Sequence, residues 1–236
     1  DQAQYHCIAR SPYLPPASYA LVHNTKSERG VYSFCMCPGG IIAPAATDTQ
    51  QIVVNGWSPS KRNNPYANSG MVVTVDEREF APFGADPLRG LRFQSAVEVT
   101  AFDAGGGLLV APAQRLVDFV QHKMSESLPD NSYMPGLRSV PLTEVLPSTV
   151  SAALRDGLLA FKSKMKGYYT NDAVLVATES RTSSPVRIPR DKNSLEHVTV
   201  AGLYPCAEGA GYAGGIVSAA IDGMKCAKLL AEKYFS

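Results

Sequence analysis

The fold is decided most clearly near the C-terminus, by the stretch Leu203 to Gly223, which reads LYPCAEGAGYAGGIVSAAIDG. It contains a GxGxxG pattern from Gly209 to Gly214. The apolar, β-branched run at 198–204 predicts a strand before this loop, and the sequence from Gly215 to Phe235 predicts a long helix after it. Glycines in such a loop let the backbone approach a ligand closely, and the positive end of the helix favours negative charge there.

The pattern departs from a complete dinucleotide-binding unit in one respect. Such a unit needs a further parallel strand that ends in an acidic residue about 20 positions beyond the glycines. Glu232 has the right spacing but lies within the predicted helix. Two interpretations therefore stay open: glycines used only for tight packing, or a helix end used by another ligand.

Outward from this loop, the chain alternates between strand and helix patterns. A helix is predicted from Leu88 to a stop at Gly105, a second from Pro112, and a third from Ser148 to Met165. Strands are predicted at 19–23, 31–37, 41–46, 52–57, 71–75 and 173–178. The simplest arrangement of the first five strands is an antiparallel meander.

The composition argues against a nucleic-acid-binding, membrane-spanning or metal-binding protein. The 236 residues carry a formal net charge of +1, without the basic excess typical of nucleic-acid binders. No apolar run approaches the roughly 20 residues that span a bilayer. The five cysteines and scattered histidines show neither a disulfide framework nor metal-ligand spacing, so we expect a cytoplasmic protein that binds neither metal, membrane nor nucleic acid.

Several motifs in order identify a resemblance. The stretches 14–19 (LPPASY), 31–40 (VYSFCMCPGG), 111–115 (APAQR), 179–188 (ESRTSSPVRI) and 203–223 resemble the C-terminal part of the uncharacterised FAD-dependent dehydrogenases, also called NAD-utilising dehydrogenases, of the glutathione-reductase superfamily. The resemblance covers essentially the whole chain. It implies that the N-terminal FAD-binding part lies outside this chain and is its partner.

The resemblance also implies a domain organisation. Residues 1–165 would form a substrate domain of class α+β, with antiparallel or mixed sheets and helices. Residues 166–236 would be the strand–glycine loop–helix segment that completes an FAD/NAD(P)-binding, Rossmann-like domain. The chain would then bind FAD weakly or not at all by itself, and NAD(P)H is a possible reductant although no second nucleotide fingerprint occurs.

The cofactor contacts are predicted in the glycine loop. Backbone N–H groups of Ala213, Gly214 and Gly215 would stabilise charge at the flavin ring edge, with Gly209 and Gly211 allowing close approach. By similarity to the family motif, the Glu208 carboxylate would accept hydrogen bonds from ribityl or ribose hydroxyls; the alternative is an ordinary exposed acid. The family usually has Gly before this Glu, where this chain has Ala207.

Cys35 and Cys37 are candidate catalytic residues. Two residues apart in a predicted strand, they would share one face, with Phe34 and Met36 opposite. Such a pair acts as a redox dithiol, as packing or as pocket lining. Gly39 and Gly40, in the tight turn that follows, are candidate substrate contacts.

Arg181 is the third candidate catalytic residue. Its guanidinium would clamp a substrate carboxylate or the flavin edge. The alternative is a structural Arg that fixes its loop or pairs with Glu179. Ser183 and Ser184, in the same loop at the end of a predicted strand, are candidate substrate contacts.

The leading hypothesis is the C-terminal part of an FAD-dependent oxidoreductase that acts on an unidentified small molecule. Two alternatives stay open: a non-catalytic binding module for a small molecule or protein, and a thiol redox protein that uses Cys35 and Cys37.

Overall fold

The computed structural model describes residues 13–14 and 18–235. Cys7 and the Pro15–Ala17 portion of the first quoted motif lie outside these residues. The protein is of class α+β, with three small sheets. The elements are β1 (Leu21–Asn24), β2 (Gly30–Pro38), β3 (Ile41–Pro44), β4 (Val54–Trp57), β5 (Ala67–Val73), α1 (Glu77–Phe80), a 3₁₀ turn (Ala81–Phe83), α2 (Arg89–Gly105), β6 (Ala111–Arg115), α3 (Leu116–Gln121), β7 (Leu137–Ser139), α4 (Ser148–Lys164), β8 (Val174–Val176) and α5 (Ile216–Tyr234).

The first sheet packs one face against α4. Its strand order is β1-β2-β5, and all neighbours are antiparallel. The strands β3 and β4 form a separate antiparallel pair. The predicted simple meander is therefore wrong, because β2 pairs with β5 and not with β3. Val31 and Phe161 are fully buried between this sheet and α4. Gly157 is required there, because an added Cβ would lie 2.5 Å from Val31 Cγ1.

A mixed sheet in the order β7-β6-β8 forms the centre of the larger core. The prediction of a helix from Pro112 is wrong, because 111–115 is the central strand of this sheet and the helix begins only at Leu116. The ladder to β7 uses the Ala111 N–H and the Ala113 carbonyl, so the missing N–H of Pro112 breaks none of its bonds. Because both faces of β6 are buried, its sequence lacks the alternation of apolar and polar residues by which a strand is usually predicted.

The region from residue 184 to α5 is irregular. The predicted strand at 198–204 is wrong: this segment makes turns, with Val198 59% and Val200 49% exposed. The His197 ring nitrogen Nδ1 accepts from the Thr199 and Val200 N–H groups, which curls the backbone. A strand needs a neighbouring ladder, and the described residues supply none here.

The proposed division at residue 165 stays a prediction. The strand β8 follows it and pairs antiparallel with β6. Among the described residues, no helix combines the length and apolarity that a bilayer crossing requires.

Candidate functional site

The glycine loop is held by one carboxylate on α5. Asp222 receives Arg190 Nη1 and Nη2 at 2.9 and 2.8 Å and the Ala207 N–H at 2.8 Å. The two side chains are nearly buried, with 9% of Arg190 and 13% of Asp222 exposed. Hydrogen bonds from Arg190 hold the pKa of Asp222 below its usual range. This ion pair thus ties the loop to the helix.

A stacked tyrosine adds to this anchor. The ring of Tyr212 lies 3.7 Å from the Arg190 guanidinium carbon, and its hydroxyl donates to the Ile188 carbonyl. Ser184 Oγ donates to the Val186 carbonyl at 2.7 Å and, more weakly, to that of Gly209 at 3.3 Å. The structure therefore brings Ser184 to the glycine loop, where it supports the backbone.

Only Gly211 is required by close packing among the loop glycines. Its φ is +80°, and a Cβ added to it would lie 2.7 Å from the Val186 carbonyl oxygen. Added Cβ atoms at Gly209 and Gly214 would meet nothing within 4 Å. These two positions consequently leave space above the loop.

The N-terminus of α5 faces that space with free donors. Gly215 is its N-cap and provides no side-chain cap, and the first turn contains no acidic residue. The carboxylate of the half-buried Glu208 has no hydrogen bond or ion pair in the described part of the chain. A helix N-terminus that no described side chain caps, in a loop that also carries the unpaired Glu208, fits a ligand with a polar, electron-rich ring edge and hydroxyl groups, as in FAD.

Ala207 occupies a position that favours glycine. Its φ is +60°, in the left-handed region, which explains why a glycine suits this site better. The hydrogen bond from the Ala207 N–H to Asp222 helps to hold this backbone conformation.

The terminal helix α5 exposes an apolar surface. Four of its side chains are 48–87% exposed: Ile216, Val217, Ile221 and Met224. The opposite side is anchored through Asp222 and the buried Cys226. Clustered exposed side chains of this kind are typical of an interaction surface.

The candidate cysteines lie on an irregular part of β2. The register with β5 shifts between Phe34 and Cys37, and Cys35 has φ +52°. The bulge interrupts the period of two on which the expected shared face of the thiols depended, and that shared face stays a prediction. The Cys37 Sγ–H donates to the Cys35 carbonyl at 3.4 Å.

The turn glycines after the cysteines are explained by internal packing. A Cβ at Gly39 (φ +60°) would lie 2.1 Å from the Arg62 carbonyl oxygen. A Cβ at Gly40 would lie 2.7 Å from the Asn68 amide nitrogen, a buried donor that has no hydrogen-bond partner among the described residues. The turn thus places Asn68 beside Cys37, and a substrate contact by either glycine stays a prediction.

Glu179, in the segment after β8, lies against Gly70 of β5, whose partner in the ladder on β2 is Phe34, the neighbour of Cys35. It is half-buried, and one carboxylate oxygen would lie 3.0 Å from a Cβ at Gly70 on β5. Burial raises the pKa of Glu179. Partial burial also raises the pKa of the Cys35 thiol, and the negative charges of Glu179 and Cys37 raise it further. The sequence indicates Glu179 only as a partner of Arg181, and the signal for its half-buried position is its place directly after the apolar run 173–178.

Arg181 is held by a different glutamate. Its Nε and Nη2 donate to the two oxygens of Glu98 at 3.0 and 2.8 Å, and its Nη1 donates to Thr47 Oγ1 at 2.6 Å. Glu98 is 1% exposed, and Ser180 Oγ also donates to it. Hydrogen bonding to Glu98 raises the pKa of Arg181. The guanidinium, one-third exposed, fixes its loop, and an anion contact remains a prediction.

The candidate residues form two groups linked by one segment. Cys35, Cys37 and Glu179 make up the thiol site, and residues 207–215 make up the glycine loop. The segment 179–190 begins at the first group and packs on the second. The exposed Ser183 makes no hydrogen bond within the described residues.

Comparison with known proteins gives two matches. The family model described as FAD-dependent protein, C-terminal domain-like, matches residues 1–182. A protein of Clostridium beijerinckii, described as an uncharacterized protein, is 46% identical over 234 residues, which cover 98% of this chain and 43% of that protein. The chain thus spans less than half the length of this relative.

Proposed function

Because this chain belongs to the FAD-dependent protein C-terminal domain-like family, we propose that it is the C-terminal part of an FAD-dependent oxidoreductase. It would supply the substrate-binding domain and the loop and helix that contact the flavin. The observation that carries this proposal is the N-terminus of α5, which no described side chain caps and which follows the open space at Gly209 and Gly214.

The loop residues have separate roles in this proposal. The N–H groups of Ala213, Gly214 and Gly215 would face the electron-rich edge of the flavin ring, and Glu208 would accept hydrogen bonds from the sugar hydroxyls. Gly209 would leave room for the cofactor above the backbone, and Gly211 would keep the shape of the loop through its packing against Val186. When bound, FAD would supply the redox chemistry, and the chain would bind and orient it. Asp222 and Arg190 would hold the loop in shape.

Substitution at Gly214 tests this assignment. A valine side chain there meets no heavy atom within 4 Å of its Cβ, so the apo chain should fold and melt like the wild type. In the full-length protein the same side chain would fill the space of the cofactor. We expect Gly214→Val to lower the FAD content at least tenfold, whereas the matched Gly223→Ala on α5, also in open space, retains it. Full FAD content in the Gly214→Val protein would contradict the proposed contact.

The partner of the exposed surface on α5 is proposed to be the N-terminal FAD-binding part. Its support is the family membership together with the length of the relative, of which more than half lies outside the match. Val217→Ser with Met224→Ser, both more than 70% exposed, should leave the melting temperature of this chain unchanged. In the full-length protein the pair should weaken FAD retention, while Lys26→Ser, at an exposed position in the turn between β1 and β2, should not.

A binding module without redox activity is the competing function. A flavin that stays oxidised when a reduced nicotinamide and a panel of small alcohols, amines and thiols are added would favour it. Bleaching by any of these donors would favour the oxidoreductase and identify the class of donor.

A further inference from the structure

Two cysteines meet where the glycine loop is tied to α5. Cys206 directly precedes Ala207 and lies half-buried in irregular backbone. Cys226 lies on α5, one helical turn after Asp222, and is 5% exposed. The Ala207 N–H donates to the Asp222 carboxylate at 2.8 Å. This hydrogen bond brings the segment that carries Cys206 onto the part of α5 that carries Cys226.

The Arg190 side chain shows the same proximity from a second direction. Its Nη1 donates to the Pro205 carbonyl at 2.8 Å and to Cys226 Sγ at 3.6 Å. One nitrogen atom thus contacts both the residue before Cys206 and the sulfur of Cys226. A side-chain hydrogen bond joins the two thiols themselves. The two sulfur atoms therefore lie in contact in the folded chain.

The two thiols differ in their surroundings. Burial raises the pKa of the Cys226 thiol, and the Arg190 guanidinium opposes this increase. Cys206 is the more accessible of the two, so a reagent from solvent reaches it first. Cys206 also lies outside the helices and strands, where the backbone can adjust to the short distance of about 2.05 Å between bonded sulfurs. Such a pair suits an attacking thiol and a resolving thiol.

We propose that Cys206 and Cys226 form a reversible disulfide that locks the glycine loop to α5. This inference goes beyond the proposed flavin binding, because it requires only the two thiols and a small disulfide as oxidant. Free thiols are the reduced state of this pair, as the structure shows them. Reversible disulfides of this kind sense the redox state of their surroundings.

The reaction is a pair of thiol–disulfide exchanges. Cys206 loses its proton to solvent, and its sulfur attacks one sulfur of the small disulfide, whose other half departs as a thiolate and takes up a proton. The Cys226 sulfur, also after loss of its proton, then attacks the Cys206 sulfur and displaces the second half in the same way. Two protein thiols and one small disulfide thus become one protein disulfide and two small thiols.

Equilibration with reduced and oxidised glutathione tests the pair in this 236-residue chain. After alkylation of the remaining thiols, mass spectrometry of non-reduced peptides measures the fraction in which Cys206 and Cys226 are cross-linked. The glutathione ratio at half-oxidation gives the effective concentration of one thiol at the other. We expect this concentration to be at least about tenfold higher in the folded chain than in urea, because the fold holds the thiols in contact.

The single-cysteine variants separate the two steps. Cys226→Ser should stop the reaction at a mixed disulfide between Cys206 and glutathione, and Cys206→Ser should show no cross-link to Cys226 at equal glutathione ratios. Three results with the wild-type chain would overturn the proposal without any variant. They are the absence of the cross-link at every glutathione ratio, a glutathione adduct that persists on Cys206, and an effective concentration no higher than in urea.

The locking of the loop has its own measurement. In Asp222→Asn the ion pair that ties the loop to α5 is lost, and the disulfide would take over its role. Oxidation of this variant should slow exchange of the Tyr212 amide, which donates to the Ala207 carbonyl, at least about tenfold, because the cross-link restricts the open state. Addition of Cys226→Ser should remove the effect. Equal exchange before and after cross-linking would overturn the locking role.

Discussion

Replacement of Asp222 by Asn tests how the glycine loop is held. The change removes the charge that pairs with Arg190 at 2.8 and 2.9 Å, and it weakens the acceptor of the Ala207 N–H. Loss of one partner of a buried ion pair costs roughly 3–5 kcal/mol. Because these side chains retain 9% and 13% exposure and Asn keeps one acceptor, we expect about 3 kcal/mol.

Amide hydrogen exchange measures this cost locally. The Gly211 and Tyr212 amides donate hydrogen bonds within the loop. Since about 1.4 kcal/mol corresponds to a tenfold change in an equilibrium constant, these amides should exchange about 100-fold faster in Asp222→Asn. Glu77→Gln breaks the more exposed pair with Arg89 and should change exchange in the loop by less than about twofold. Unchanged protection of Gly211 and Tyr212 in Asp222→Asn would refute the reasoning, because another contact would then hold the loop.

Three further substitutions test the core and the thiol site. Glu179→Gln should raise the melting temperature at about pH 8 and leave it unchanged at about pH 4. Because burial raises the pKa of Glu179 in the folded protein, protonation of this side chain stabilises the fold below the unfolded pKa, and this stabilisation is lost as the pH rises through the folded pKa. Gly157→Ala should lower the free energy of unfolding by about 1–3 kcal/mol because its Cβ overlaps Val31, whereas the unobstructed Gly223→Ala should raise it by up to about 1 kcal/mol. Glu98→Gln should lower it by about 2 kcal/mol in denaturant titrations, since Arg181 keeps its charge without its partner.

Helices with a regular apolar period and clear stops were predictable. The third predicted helix, Ser148 to Met165, is observed at Ser148–Lys164, and the helix that ends at Gly105 is capped by Gly106 in the left-handed region. The positions of strands β1 to β5 were predicted to within a few residues. The pairing of these strands could not be predicted, because the apolar pattern of a strand does not say which neighbour completes its ladder.

The misses have physical causes in individual residues. Pro112 suits the first turn of a helix, but full burial of 111–114 selected the central strand β6. Val198 and Val200 have strand propensity, but among the described residues no strand pairs with them. The bulge at Cys35 and the packing of Glu179 against Gly70 depend on tertiary contacts between distant segments. Residue types and order predicted the glycine loop, whereas the Arg190–Asp222 anchor required the structure.

The FAD content of the full-length protein tests the central claim most directly. The protein should purify yellow and release about one equivalent of FAD per chain on acid denaturation, whereas the 236-residue chain should bind added FAD weakly or not at all. Colourless full-length protein without flavin in the acid extract, also after incubation with FAD, would contradict the account.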